Sequence, residues 1–123
     1  MRIFSLRRIS SGFKFDLKAS NGQIIATSEV YDTRAACRKG IESVRKCAPL
    51  APVEDLTVPS PVAKNPKFEL FLDKAGQYRF RLKARNGKII AVSEGYATKS
   101  GCENGIHSVR INAPEGSVEE SGA

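Results

Sequence analysis

The string Ser-Glu-x-Tyr occurs twice, as Ser28, Glu29 and Tyr31 and again as Ser93, Glu94 and Tyr96. A serine beside a glutamate is raw material for nucleophilic or acid–base chemistry, but a nucleophile needs a base within reach and an oxyanion site. The surrounding chemistry is sparse. His107 is the one histidine, so neither a multi-histidine metal site nor a conventional triad outside it can be assembled. Cys37, Cys47 and Cys102 are odd in number and lack C-x-x-C spacing. That pattern points to free thiols in a reducing cytoplasm rather than a disulfide framework or zinc site. No P-loop, G-x-G-x-x-G or H-E-x-x-H string is present. The expectation is no catalytic residue, no metal and no cofactor.

Cations are the more abundant material. The 20 Lys and Arg exceed the 13 Asp and Glu, for a formal charge of +7. The balance is +6 over residues 1–49, −1 over 50–66, +5 over 67–114 and −3 over 115–123. Arg79, Arg81, Lys83 and Arg85 alternate with Tyr78, Phe80, Leu82 and Ala84. In a strand this places four cations on one face, about 6.6 Å apart, a spacing that can follow a phosphate backbone. A second basic group, Arg34, Arg38, Lys39, Arg45 and Lys46, outnumbers Glu42 on the polar face of a predicted helix. An ordinary solvated surface accounts for either group equally simply. The aromatics Phe13, Phe15, Tyr78 and Phe80 fall on the inward face, so the open face has no base-stacking platform.

The elements that carry these residues are written twice. At a shift of 65, Phe-x-Leu-Lys-Ala-x-Asn-Gly-x-Ile-Ile-Ala-x-Ser-Glu-x-Tyr-x-Thr reads from Phe15 and again from Phe80. The match continues through Cys37 and Cys102 to Ala48-Pro49 and Ala113-Pro114. The first unit is 1–49, a proline-rich connection is 50–66, the second unit is 67–114 and an acidic tail is 115–123. Within each unit the pattern predicts three antiparallel strands and a helix. Asn21-Gly22 and Asn86-Gly87 predict type I′ hairpins with a two-residue loop. That register sets Arg81 opposite Val92, Lys83 opposite Ile90 and Arg79 opposite Glu94, with Lys14 opposite Glu29 in the first unit. Each Glu would then pair with a cation on the outer face. Ile24 would point inward, while Ile25, Ile90 and Val92 would lie outside. Cys37, Ile41, Val44 and Ala48, with Cys102, Ile106, Val109 and Ala113, form apolar stripes of helical period. Thr33 or Asp32, and Thr98, are the candidate N-caps. Gly40 and Gly105 beside the stripes predict close packing on the sheet.

The strand, Asn-Gly turn, strand and Ser-Glu-x-Tyr string, followed by a helix, resembles the YegP-like family of small bacterial domains. The resemblance covers about four-fifths of the chain. It implies an α+β fold in which a β-β-β-α-β unit is present twice. The units would form one pseudo-twofold domain with a shared antiparallel sheet. It also implies that the final strands are exchanged, which gives Val53–Val58 and Ser117–Glu120 that role. The family has no established activity, so no catalytic residue is carried across.

These readings favour a non-enzymatic, cytoplasmic binding module whose partner is nucleic acid or another polyanion. The alternative is a protein-interaction or structural module acting through the sheet face or an edge. No membrane partner is expected, because no apolar run approaches the roughly 20 residues that span a bilayer. The expected state is a monomer or weak dimer.

Overall fold

The computed structural model describes residues 2–121. Strands β1 (Ile3–Ile9), β2 (Gly12–Lys18) and β3 (Ile24–Thr27) precede helix α1 (Arg34–Cys47) and the short strand β4 (Val53–Asp55). Strands β5 (Lys67–Leu72), β6 (Tyr78–Lys83) and β7 (Ile89–Val92) precede α2 (Lys99–Asn112) and β8 (Ser117–Ser121). The eight strands form one sheet in the order β4-β5-β6-β7-β3-β2-β1-β8. Thus β4 pairs with β5, and β8 pairs with β1 at the far edge. Both of these pairings are parallel, so the sheet is mixed and not wholly antiparallel as expected. The expected strand 53–58 stops at Asp55, whose carboxylate turns back to the backbone and hydroxyl of Thr57.

The hairpins differ from expectation in an instructive way. Gly22 and Gly87 have φ of +85° and +82°, and among the described residues no other residue type has positive φ. A type I′ turn needs two such residues, so neither loop is one. Instead the Gly22 N–H donates to Ala19 O and the Ala19 N–H to Gln23 O, and Ala84, Gly87 and Lys88 repeat the pattern. This is a type I turn closed by a glycine bulge. Asn21 and Asn86 serve it differently: each side-chain oxygen accepts from the backbone N–H two residues on, at 3.0 Å.

The bulge shifts the register by one residue next to the turn, so Lys83 faces Ile89 rather than Ile90 and Lys18 faces Ile24. A second irregularity, between Leu82 and Lys83 and between Leu17 and Lys18, restores the expected pairing of Arg81 with Val92. Ile25 and Ile90 are therefore buried and Ile24 is exposed, the reverse of the expected assignment.

The core is one cluster between the sheet and the two helices. Phe4 meets Phe15 edge to face at 5.8 Å between ring centroids, and Phe68 meets Phe80 at 5.9 Å. Tyr31 stacks on Phe15 and Tyr96 on Phe80. Thr33 and Thr98 cap the helices, each hydroxyl accepting from a backbone N–H three residues on. The buried face of each helix is the predicted stripe. Gly40 and Gly105 do mark close packing, chiefly against rings. A Cβ on Gly40 would lie 2.6 Å from Cζ of Tyr31, and one on Gly105 would lie 2.8 Å from Cζ of Tyr96 and 3.0 Å from Phe80. Between β3 and β7, where the two units meet, sheet pairing among the described residues is confined to Thr27 opposite Val92. The helices reinforce it, because α1 packs on β2 and β7 while α2 packs on β6 and β3.

Candidate anion-binding trough

The outer face of the sheet is less positive than its sequence implies, because most of its cations have internal partners. Arg79 donates twice to the Ser93 carbonyl, at 3.1 and 2.8 Å. Arg81 binds Glu69 at 2.7 Å and lies over the Phe71 ring, and Lys83 approaches the same carboxylate at 3.4 Å. Lys67 bridges Glu69 to Glu54, which it contacts at 2.6 Å. Lys67, Glu54 and Glu69 are all buried. The hydrogen bond from Lys67 holds the Glu54 carboxyl below the usual carboxylate range, and that bond also raises Lys67. Burial pushes the Glu69 carboxyl upward. Its bond to Arg81, with the charges of Arg81 and Lys83, outweighs that and leaves it lowered.

The Ser-Glu-x-Tyr strings are architectural. Ser28 accepts from the Phe15 N–H and donates to the Glu29 carbonyl, and Ser93 does the same with Phe80 and Glu94. With both capacities spent on backbone, neither hydroxyl stands next to a base. No ion pair joins Glu29 to Lys14 or Glu94 to Arg79 among the described residues, contrary to expectation. The tyrosines do anchor the strand–helix turns, bridging backbone to backbone with Phe13 and Tyr78. Cys37, Cys47 and Cys102 are free and buried, and burial raises the Cys37 and Cys102 thiols to about 11.

On the helix side the basic residues divide. Arg45 lies over the Phe4 ring and bonds Glu42 and the Gly116 carbonyl. It therefore clamps the lead-in to β8. Arg110 does the corresponding work over Phe68, donating to Ala51 O ahead of β4. Arg34 and Arg38 both bind Glu120. Lys39, Lys46 and Arg85 are exposed and make no ion pair among the described residues.

Those three cations lie along one surface. A depression of about 430 Å³ is lined by Arg38, Lys39, Glu42, Ser43 and Lys46. A second, of about 290 Å³, is lined by Ser43, Lys46 and Cys47 of α1 and by Ala84, Arg85 and Asn86 of the β6–β7 loop. The shared Ser43 and Lys46 join them into one trough. Its repeat counterparts are Asn104 for Lys39, Ile111 for Lys46 and Ser20 for Arg85. The trough thus draws cations from both units, and the equivalent surface formed by α2 and the β2–β3 loop has none at those positions. Of the nine basic residues singled out from the sequence, the structure brings Arg38, Lys39, Lys46 and Arg85 together. It leaves Arg79, Arg81 and Lys83 apart and internally bonded, and because β6 ends at Lys83 it moves Arg85 from the expected strand face to the loop.

Two signals in the sequence point to this division. Register across the Asp73–Gly76 turn sets Glu69 opposite Arg81, as observed. Aligning the repeats exposes the substitutions at 39, 46 and 85.

A family model described as "Domain of unknown function (DUF1508)" matches residues 10–55 and again 73–120. The UPF0339 protein YegP of Escherichia coli O157:H7 is 37% identical over 119 residues, covering 96% of each chain. A UPF0339 protein of Methanosarcina acetivorans is 60% identical over 52 residues, which are 42% of this chain and 90% of that one. The solution structure of the E. coli yegP protein of unknown function has a TM-score of 0.82 at 34% identity, covering 99% of this chain and 94% of that one.

Proposed function

The chain belongs to the DUF1508 family of YegP-like proteins, whose role is unestablished, and from that premise we propose a non-enzymatic module that binds nucleic-acid phosphate backbone along the α1 trough. One observation carries the reading. Lys39, Lys46 and Arg85 stand exposed and unpaired among the described residues, on a continuous surface whose repeat counterpart has no cation at those positions. Seven residues of helix separate Lys39 from Lys46 by about 10.5 Å. Arg85 extends the line onto the neighbouring loop. The trough lining includes no aromatic residue, which favours backbone contact over base stacking.

The same proposal includes a pseudo-twofold relation between the units, supported by a strand order that exchanges β4 and β8 symmetrically. It also includes a reducing cytoplasmic setting, supported by three free buried thiols. A protein partner is the second reading, favoured by exposed Val53, Leu56 and Val58 at and beyond the β4 edge. The sheet-face version of that reading loses Ile25 and Ile90, which are buried, and keeps half-buried Val92 beside exposed Ile24.

The test is fluorescence anisotropy with single-stranded DNA, duplex DNA and RNA at several salt concentrations. Binding should weaken linearly in log salt. Lys39→Ser/Lys46→Ser/Arg85→Ser should reduce the slope by about two to three units. Arg79→Ser/Arg81→Ser/Lys83→Ser should leave the slope unchanged, because those cations serve the fold. Absence of binding to all three ligands at low salt would overturn the proposal.

A further inference from the structure

Arg34 and Arg38 sit one helical turn apart on the same face of α1 and converge on a single carboxylate. Arg34 Nε contacts Oε1 of Glu120 at 2.9 Å, and Arg38 takes Oε2. Both carboxylate oxygens are therefore engaged by separate guanidinium groups. Two oxygens presented to two guanidiniums is also how a phosphodiester offers its non-bridging oxygens. The Arg34 guanidinium lies over the Phe13 ring, 5.6 Å from its centroid, which holds one arm of the fork in place. Arg38 also lines the trough, so the fork continues the cationic line of Lys39 and Lys46.

The second unit repeats one arm only: Lys99 replaces Arg34 and is tied to Asp55, the repeat counterpart of Glu120, while Glu103 replaces Arg38 and leaves the second arm without an equivalent. Glu120 belongs to β8, which is held to β1 by backbone pairing, and its side chain is 33% exposed. Its carboxylate can thus leave the fork without the strand leaving the sheet.

Resting on the trough reading, we infer that Arg34 and Arg38 form an additional phosphate site, occupied in this structure by Glu120 as an internal stand-in. A nucleic-acid phosphate displaces the carboxylate when the backbone extends beyond the trough. Glu120 thereby sets how many phosphates the surface engages.

The experiment titrates the wild-type protein and four variants into a short labelled duplex at several salt concentrations. Glu120→Gln should tighten binding by about 3- to 10-fold at low salt and steepen the slope by about one to two units. Glu119→Gln, which removes the same charge from the neighbouring residue, should change neither. Adding Arg34→Ser/Arg38→Ser to Glu120→Gln should abolish that steepening and bring the slope to the wild-type value or below it, because the wild-type fork already engages phosphate in part.

Wild-type affinity and slope for Glu120→Gln would overturn the inference. If the Lys39/Lys46/Arg85 variant still lost binding, the trough reading would survive that result. A response to Glu120→Gln with no response to the trough variant would sink the trough and keep the fork. A second measurement needs no variant. The Nε–H resonance of Arg34 should shift as the wild-type protein is saturated with duplex, and an unmoved resonance would count against displacement.

Discussion

Gly105 has no side chain because Tyr96 and Phe80 occupy the volume one would fill. Phe80 is fully buried and has no room to retreat, while half-buried Tyr96 stacks on it and would have to shift outward. Gly105→Ala should therefore lose stability despite the better helix former. Overpacking costs about 1–3 kcal/mol, and the gain in helix propensity returns about 1 kcal/mol. The expected net loss is up to about 2 kcal/mol in a urea melt, and a gain would show that the rings yield. Gln77 and Gly95 show the opposite kind of fit. The Gln77 side chain reaches over Gly95, with Cδ 2.7 Å from where a Cβ would stand, whereas the first unit has Val30 at that place, against Gly12. Small and large residues have exchanged sides between the two copies. The repeat pairs Val30 with Gly95 at a shift of 65, and this exchange accounts for that difference.

At the scale of elements, β4, β5 and β6 are joined on their outer side by the chain Glu54, Lys67, Glu69 and Arg81. The lowered carboxyls of Glu54 and Glu69 stabilise the fold above the usual glutamate range, about pH 4.3, and that contribution is lost as pH falls through their folded values. The raised Lys67 contributes fully below its ordinary value, about 10.4, and loses its contribution as pH rises through the folded one. Urea midpoints should thus hold through neutral pH and fall at both extremes. Glu54→Gln/Glu69→Gln should flatten the acid limb; an unchanged limb would mean that other carboxylates set it. The elements themselves are largely legible in the sequence, since strand alternation, the helical stripes and the threonine caps are local patterns. Ile24 and Ile25 are harder, because Asn-Gly suits two turns whose registers differ by one residue, and backbone φ decides between them. The roles of Arg45 and Arg110 are not legible at all. Each donates to a carbonyl that the chain brings close only after a strand has crossed to the other unit.

The whole molecule is completed by that crossing. β1 gains its outer neighbour from β8, with Ile3 beside Ser117 and Phe4 beside Val118. Ending the chain after Gly116 should leave β1 as an open edge. Loss of the half-buried Val118 alone should cost about 1–2 kcal/mol. Sedimentation should show stronger concentration-dependent association than the full chain shows, and a shortened chain that associated no more and was equally stable would make β8 dispensable. The exchange also imposes an order in time. During synthesis at about 5–20 residues per second, β1 emerges first and its edge partner arrives roughly 5–20 seconds later, after every other described element. For that interval the nascent first half has no native cover for β1, and it is then most open to holding chaperones.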